Sequence, residues 1–210
     1  MMSGIVSSVL VLCAYLVAVL LFPGRAEATE LESIYVRVPI SPEAYRRWLA
    51  SPLRHAGDFD DWRGMSDQWE DDWAEEFYDW DFATNGDLVA SIRDQMTSEW
   101  NDEWNSQPYV DYDEAVGVFR YAQLLYDENF INFANDLAAY RSFADFKDTD
   151  EPGFIVIYPF LWDPGYGVIM EIGRGGAAFH AENAPPAGFK AFIDEANAHF
   201  DAELDALEED

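Results

Sequence analysis

Thiol chemistry is the first thing this sequence does without. Its one cysteine, Cys13, lies inside an N-terminal apolar run, so the rest of the chain holds no disulfide, no thiolate zinc site and no cysteine nucleophile. Stability must come from a packed core, which a chain of this length can build without cross-links. Basic residues are also scarce. Lysine occurs only at Lys147 and Lys190, and the 12 bases face 41 acids, for a formal net charge of −29. Such a field repels nucleic-acid phosphates and anionic headgroups, which excludes DNA, RNA and a membrane surface as partners of the folded domain. It attracts cations and basic proteins. A GC-rich genome or a salty habitat would produce the same bias.

Catalytic signatures are missing too. There is no His-Glu-x-x-His, no Gly-x-Ser-x-Gly and no Walker loop, and His55, His180 and His199 stand too far apart to make a ligand pair. Aspartate pairs recur at Asp58/Asp60, Asp79/Asp81, Asp111/Asp113 and Asp148/Asp150. An EF-hand needs Gly at its sixth position and Glu at its twelfth. From Asp58 those positions hold Arg63 and Trp69, and from Asp79 they hold Thr84 and Ala90. With so many acids no single carboxylate pair can be singled out for glycoside hydrolysis. The sequence therefore implies no cofactor, no dedicated metal centre and no catalytic residue.

What is present begins with an address. Residues 5–22 carry no charge, Pro23-Gly24 breaks the run, and Ala26-Glu27-Ala28 places small residues where signal peptidase requires them. The expectation is a signal peptide over residues 1–28 and a single acidic domain over 29–210, starting at Thr29 in the periplasm or outside the cell. The run approaches the length of a membrane span and residues 1–4 lack Lys and Arg, so an uncleaved single-pass anchor is the alternative. Leu10-Val11-Leu12-Cys13 does not make a lipobox. A start codon further downstream, near Ile34, would remove the segment altogether.

Aromatic residues make up 16% of the chain, far too many for a disordered acidic polymer. Ile34, Val36, Val38 and Ile40 alternate with Tyr35 and Arg37, the pattern of a half-buried strand. Ser41-Pro42-Glu43 then caps a short helix with Tyr45, Trp48 and Leu49. Asp87 is placed to cap a helix bearing Val89, Ile92, Met96 and Trp100. Residues 113–126, apolar nearly all round (Val116, Val118, Phe119, Leu124, Leu125), predict a buried helix, and Phe130, Phe133, Ala134 and Leu137 predict a one-faced helix. From residue 154 the period turns to β. Strands are expected over 154–160, 167–172 and 177–182, with Gly173-Arg174-Gly175-Gly176 as the hairpin turn between the last two. A final amphipathic helix carries Phe189, Phe192, Ile193, Ala196, Phe200, Leu204 and Leu207 on one stripe. The class is α+β: an N-terminal strand, several helices, a three-strand antiparallel meander and a C-terminal amphipathic helix.

Residues 58–81 hold the sharpest feature. Trp62, Trp69, Trp73 and Trp80 fall within about 20° of one line on a helix. Asp60, Asp67, Asp71, Asp72, Glu75 and Asp79 lie on the other side, in a stretch with eleven acids and one base, Arg63. The tryptophan stripe suits a core, and the acids suit a partner-binding face, because like charges this dense cost stability until something positive approaches. These features lead us to expect an exported immunity-type inhibitor that covers a basic bacterial toxin. An exported carboxylate-dependent hydrolase, and an envelope protein whose acidity is salt adaptation only, are the alternatives.

Overall fold

The computed structural model describes residues 32–62, 82–97, 108–127, 130–158 and 167–209. These residues all fall within the unit Leu31–Asp210. The chain runs through β1 (Glu32–Pro39), α1 (Pro42–Leu49), α2 (Asn85–Met96), β2 (Tyr109–Asp113), β3 (Val118–Asp127), α3 (Phe130–Arg141), β4 (Gly153–Tyr158), β5 (Val168–Gly173), β6 (Gly176–His180) and α4 (Phe189–Glu209). The protein is thus mixed α+β, with four α-helices among the described residues and an antiparallel six-stranded sheet in the order β2-β3-β1-β4-β5-β6. The expected meander, β4-β5-β6, is one half of this larger sheet. The N-terminal strand lies in its middle, with Val36 opposite Tyr121 of β3 on one side and Ile155 of β4 on the other.

Both faces of the sheet are covered. On one, Ile34, Val36 and Val38 join Phe119, Tyr121, Ile155 and Ile157 beneath α1, α2 and α3. Trp48 anchors this layer: its ring stacks on Phe143 at 3.8 Å and its Nε1 donates to Ser142 Oγ at 2.9 Å. On the other face, Tyr35, Ala122, Leu124, Phe154, Val156 and Ile169 pack against Phe189, Phe192, Ile193, Ala196 and Phe200 of α4, the stripe that the sequence predicts. Among the described residues no helix is long and apolar enough to cross a membrane.

The double cover explains the main correction. Residues 113–126, expected as a buried helix, form the β2–β3 hairpin instead. Phe119 and Tyr121 face the three-helix layer while Ala122 and Leu124 face α4, so β3 is apolar on both sides and loses the alternation that marks a strand. The loop adds a helix-like signal of its own. Asp113 accepts from the N–H groups of Ala115 and Val116, and Gly117 closes the turn at φ +67°, a conformation that L side chains rarely adopt. Val116, expected inside, stands at the tip, 64% exposed. The helix expected to be one-faced, α3, is the one buried all round: every residue from Phe133 to Tyr140 is inaccessible, Asn135 and Asp136 included.

Local chemistry sets the other boundaries. Ser41 caps α1 by accepting from Ala44 N, and Asp148 holds the Ser41 amide and hydroxyl in turn, which keeps the Asp148 carboxyl below its ordinary pKa. Thr84, rather than Asp87, is the N-cap of α2; Asp87 closes the capping box from the third helical position. Lys147 is buried with its Nζ donating to the carbonyls of Pro39, Thr149 and Glu151 and to the Thr149 hydroxyl. Burial pulls its pKa down to about 8, against the nearby Glu151, Asp148 and Asp150. One ammonium group thereby ties the end of β1 to the entry of β4.

Candidate partner-binding face

Of the six acids expected to form a binding face, Asp60 is described, and it is exposed. Asp67, Asp71, Asp72, Glu75 and Asp79 lie outside the described residues, as do Trp69, Trp73 and Trp80. The described root of the acidic stretch is built from backbone turns rather than from the helix expected there. Ala56–Asp58 is a 3₁₀ turn closed by reciprocal bonding between His55 and Asp58, and Phe59 is extended. Trp62 is core: it is 2% exposed, its Nε1 donates to Ala56 O at 2.9 Å, and its ring stands edge-on to Phe59.

A clamp holds this root on the domain. Arg141, the last residue of α3, donates from Nη1 and Nη2 to the two carboxylate oxygens of Asp61 at 2.7 and 2.9 Å. The Arg141 side chain is 6% exposed, and its guanidinium lies 3.9 Å above the Phe59 ring, with Trp62 and Phe179 at 5.4 and 5.8 Å. Its hydrogen bonds hold the Asp61 carboxyl below the ordinary range, against a smaller opposing effect of burial. Arg54 adds a second tie, bonding Asp58 and Asp145. Sequence reading missed Arg141 and Asp61, which are 80 positions apart and share no local pattern.

The rest of the surface electrostatics follows from where the bases go. Arg37 of β1 and Arg120 of β3 stand opposite one another, and Glu195 of α4 is inserted between them, 3.1 Å from Arg37 Nε and 2.7 Å from Arg120 Nε. The Tyr35 hydroxyl also donates to Glu195, and burial together with that carboxylate pushes the phenol pKa upward. Arg37 holds Glu151 as well, Arg47 pairs with Glu43, Arg174 with Asp150 and Lys190 with Asp194. These cations are neutralised by acids of the same chain. The acids left over, already in large excess, set the field that an approaching molecule meets.

Among the described residues, several members of the aspartate pairs have structural partners. Asp113 caps the β2–β3 loop, Asp148 caps Ser41, and Asp150 holds Arg174. His180 lies 3.0 Å from Glu171 and His199 lies 3.2 Å from Glu203. Among the described residues no group of three or more His, Cys, Asp or Glu side chains converges as metal ligands would. The chain matches no family model, no curated protein and no solved structure with which it was compared.

Proposed function

We propose that this is an exported, immunity-type inhibitor whose acidic face captures a basic toxin and covers its working surface. The observation that carries the reading is the fate of the charges. Among the described residues Arg37, Arg47, Arg54, Arg120, Arg141, Arg174 and Lys190 are held in internal ion pairs, while the acid-rich stretch, with eleven acids and one base, begins at residues that the Arg141–Asp61 clamp holds on the core. A strong field of one sign on a rigid scaffold speeds encounter with a partner of the opposite sign and rejects others. Export through the N-terminal segment would place the target outside the cytoplasm. A second reading, acidity as salt adaptation, draws on the exposed Asp194, Asp201 and Asp205 of α4, which are far from the acidic stretch in sequence.

The test uses the protein encoded by the neighbouring gene, directed to the periplasm. Cells should be harmed by it alone and protected by the present chain. The capture rate should fall as salt rises, since steering is screened beyond ~10 Å at 0.1 M. Reversing Asp71, Asp72 and Glu75 to Lys should slow capture by tenfold or more while the fold survives, in line with the ~10–1,000-fold range of steering effects. Capture at an unchanged rate by a folded triple variant ends the claim for this face. Salt adaptation predicts instead a domain that unfolds at low salt and protects nothing.

A further inference from the structure

The two edges of the sheet are finished differently. The β2 edge carries Asp111 and Asp113, charges of the kind that keep an open edge from pairing. The β6 edge, Gly176-Ala177-Ala178-Phe179-His180, has no acid, no lysine or arginine and no proline. Among the described residues, its geometry leaves backbone groups without a strand partner on the outer side. The two-residue loop Arg174-Gly175, with Gly175 at φ +76°, makes Gly173 and Gly176 the closing pair bonded to one another. Antiparallel alternation then turns the N–H and C=O of Ala177 and Phe179 away from β5. Among the described residues no strand lies beyond β6.

This edge adjoins the root of the acidic stretch. Phe179 stands 6.2 Å from the Trp62 ring, on the flank held by the Arg141–Asp61 clamp, and Asp60 is exposed nearby in sequence. Arg174, the cation at the hairpin tip, is already paired with Asp150. An open backbone edge on a chain with a net charge of −29 suits an extended segment that brings both peptide groups and positive charge. A second copy of this chain is a poor fit, because each copy would bring a net charge of −29 to the contact.

We propose that β6 is a docking edge that receives an extended, lysine- or arginine-bearing segment of a partner protein as an added antiparallel or parallel strand. This rests on the reading of the chain as a binder of basic proteins and specifies how the partner is held. Charge draws the segment in, and the outward groups of Ala177 and Phe179 fix its register.

Two synthetic peptides of equal charge test it, one alternating Lys and Val, the other alternating Lys and Pro. The second offers half the backbone donors and cannot extend a sheet. The intact domain should bind the Lys–Val peptide at least about fivefold more tightly, the equivalent of one net backbone hydrogen bond. Hydrogen exchange in that complex should show new protection at Ala177 and Phe179. Ala177→Pro should abolish the preference and leave Lys–Pro binding unchanged, whereas Ala177→Val should keep it. Equal binding of both peptides without new protection at Ala177 and Phe179 overturns the docking edge but leaves charge-driven capture standing. Binding of neither peptide at low salt overturns both. Should Ala177→Pro fail to fold, exchange in the unaltered domain decides alone, and a salt-induced dimer protected at β6 overturns the basic partner in favour of a second copy.

Discussion

Cutting the Arg141–Asp61 clamp from its two ends should give unequal losses. The Arg141 side chain is 6% exposed while that of Asp61 is 44% exposed. Asp61→Ala therefore strands a buried guanidinium whose remaining partners are the faces of Phe59, Trp62 and Phe179. Breaking a buried pair in this way costs about 3–5 kcal/mol, and the half-open carboxylate places the loss near the lower end, about 3 kcal/mol. Arg141→Met leaves an aspartate that can turn to water and an apolar chain that still packs on Phe59, so its loss should be about 1 kcal/mol. Urea denaturation at neutral pH measures both, and a constant m-value certifies the comparison. The difference should vanish in acid. Because the folded pKa of Asp61 is depressed, its contribution is present above the ordinary pKa of 3.8 and is lost as pH falls through the lower folded value. Equal losses at neutral pH, or a larger one for Arg141→Met, would refute the assignment of Arg141 as the buried partner.

The second core makes a simpler demand: Phe200 of α4, 3% exposed against the sheet, should cost ~3–5 kcal/mol on replacement by Ala, and a loss under ~1 kcal/mol would mean that the α4 stripe is not core. Glu32 at the start of β1 is held by burial at a pKa of about 7, above its ordinary 4.5, so its contribution to stability is present in acid and lost as pH rises from 4.5 through 7; Glu32→Gln should flatten that decline, which thermal melts across pH will show. Processing should give a chain starting at Thr29, and N-terminal sequencing of envelope material that returns full-length protein would refute cleavage.

The parts of the fold governed by neighbours in sequence were legible. The alternation of Ile34, Val36 and Val38, the Ser41 cap, the hairpin at Arg174-Gly175 and the α4 stripe all follow from periods and turn chemistry within a few residues. The parts governed by distant contacts were not. Whether Val118-Phe119-Arg120-Tyr121 is strand or helix depends on α4 lying over one side and α3 over the other, and nothing local records that. At the candidate face, the spacing that put Trp62 on a helical line correctly marked it as apolar and anchored. It did not foresee the 3₁₀ turn and extended Phe59 that carry it there, because the local chain is set by Asp58 bonding back to His55 and Asp61 bonding across to Arg141.

The central position of β1 has a consequence for how the chain comes together. Ile34, Val36 and Val38 are made early and paired late, since their partners on both sides, β3 and β4, follow much further along the chain. The β2–β3 hairpin and the β4-β5-β6 meander can each form locally, but joining them requires the first strand to be placed between distant halves, a topology that slows folding. A chain crossing a membrane from its N-terminus would deliver this apolar strand first, hold it unpaired until Asp127 of β3 had followed, and leave its other side open until Tyr158 of β4. Escort by a holding chaperone during that interval would then matter more to its yield than the stability of the finished sheet.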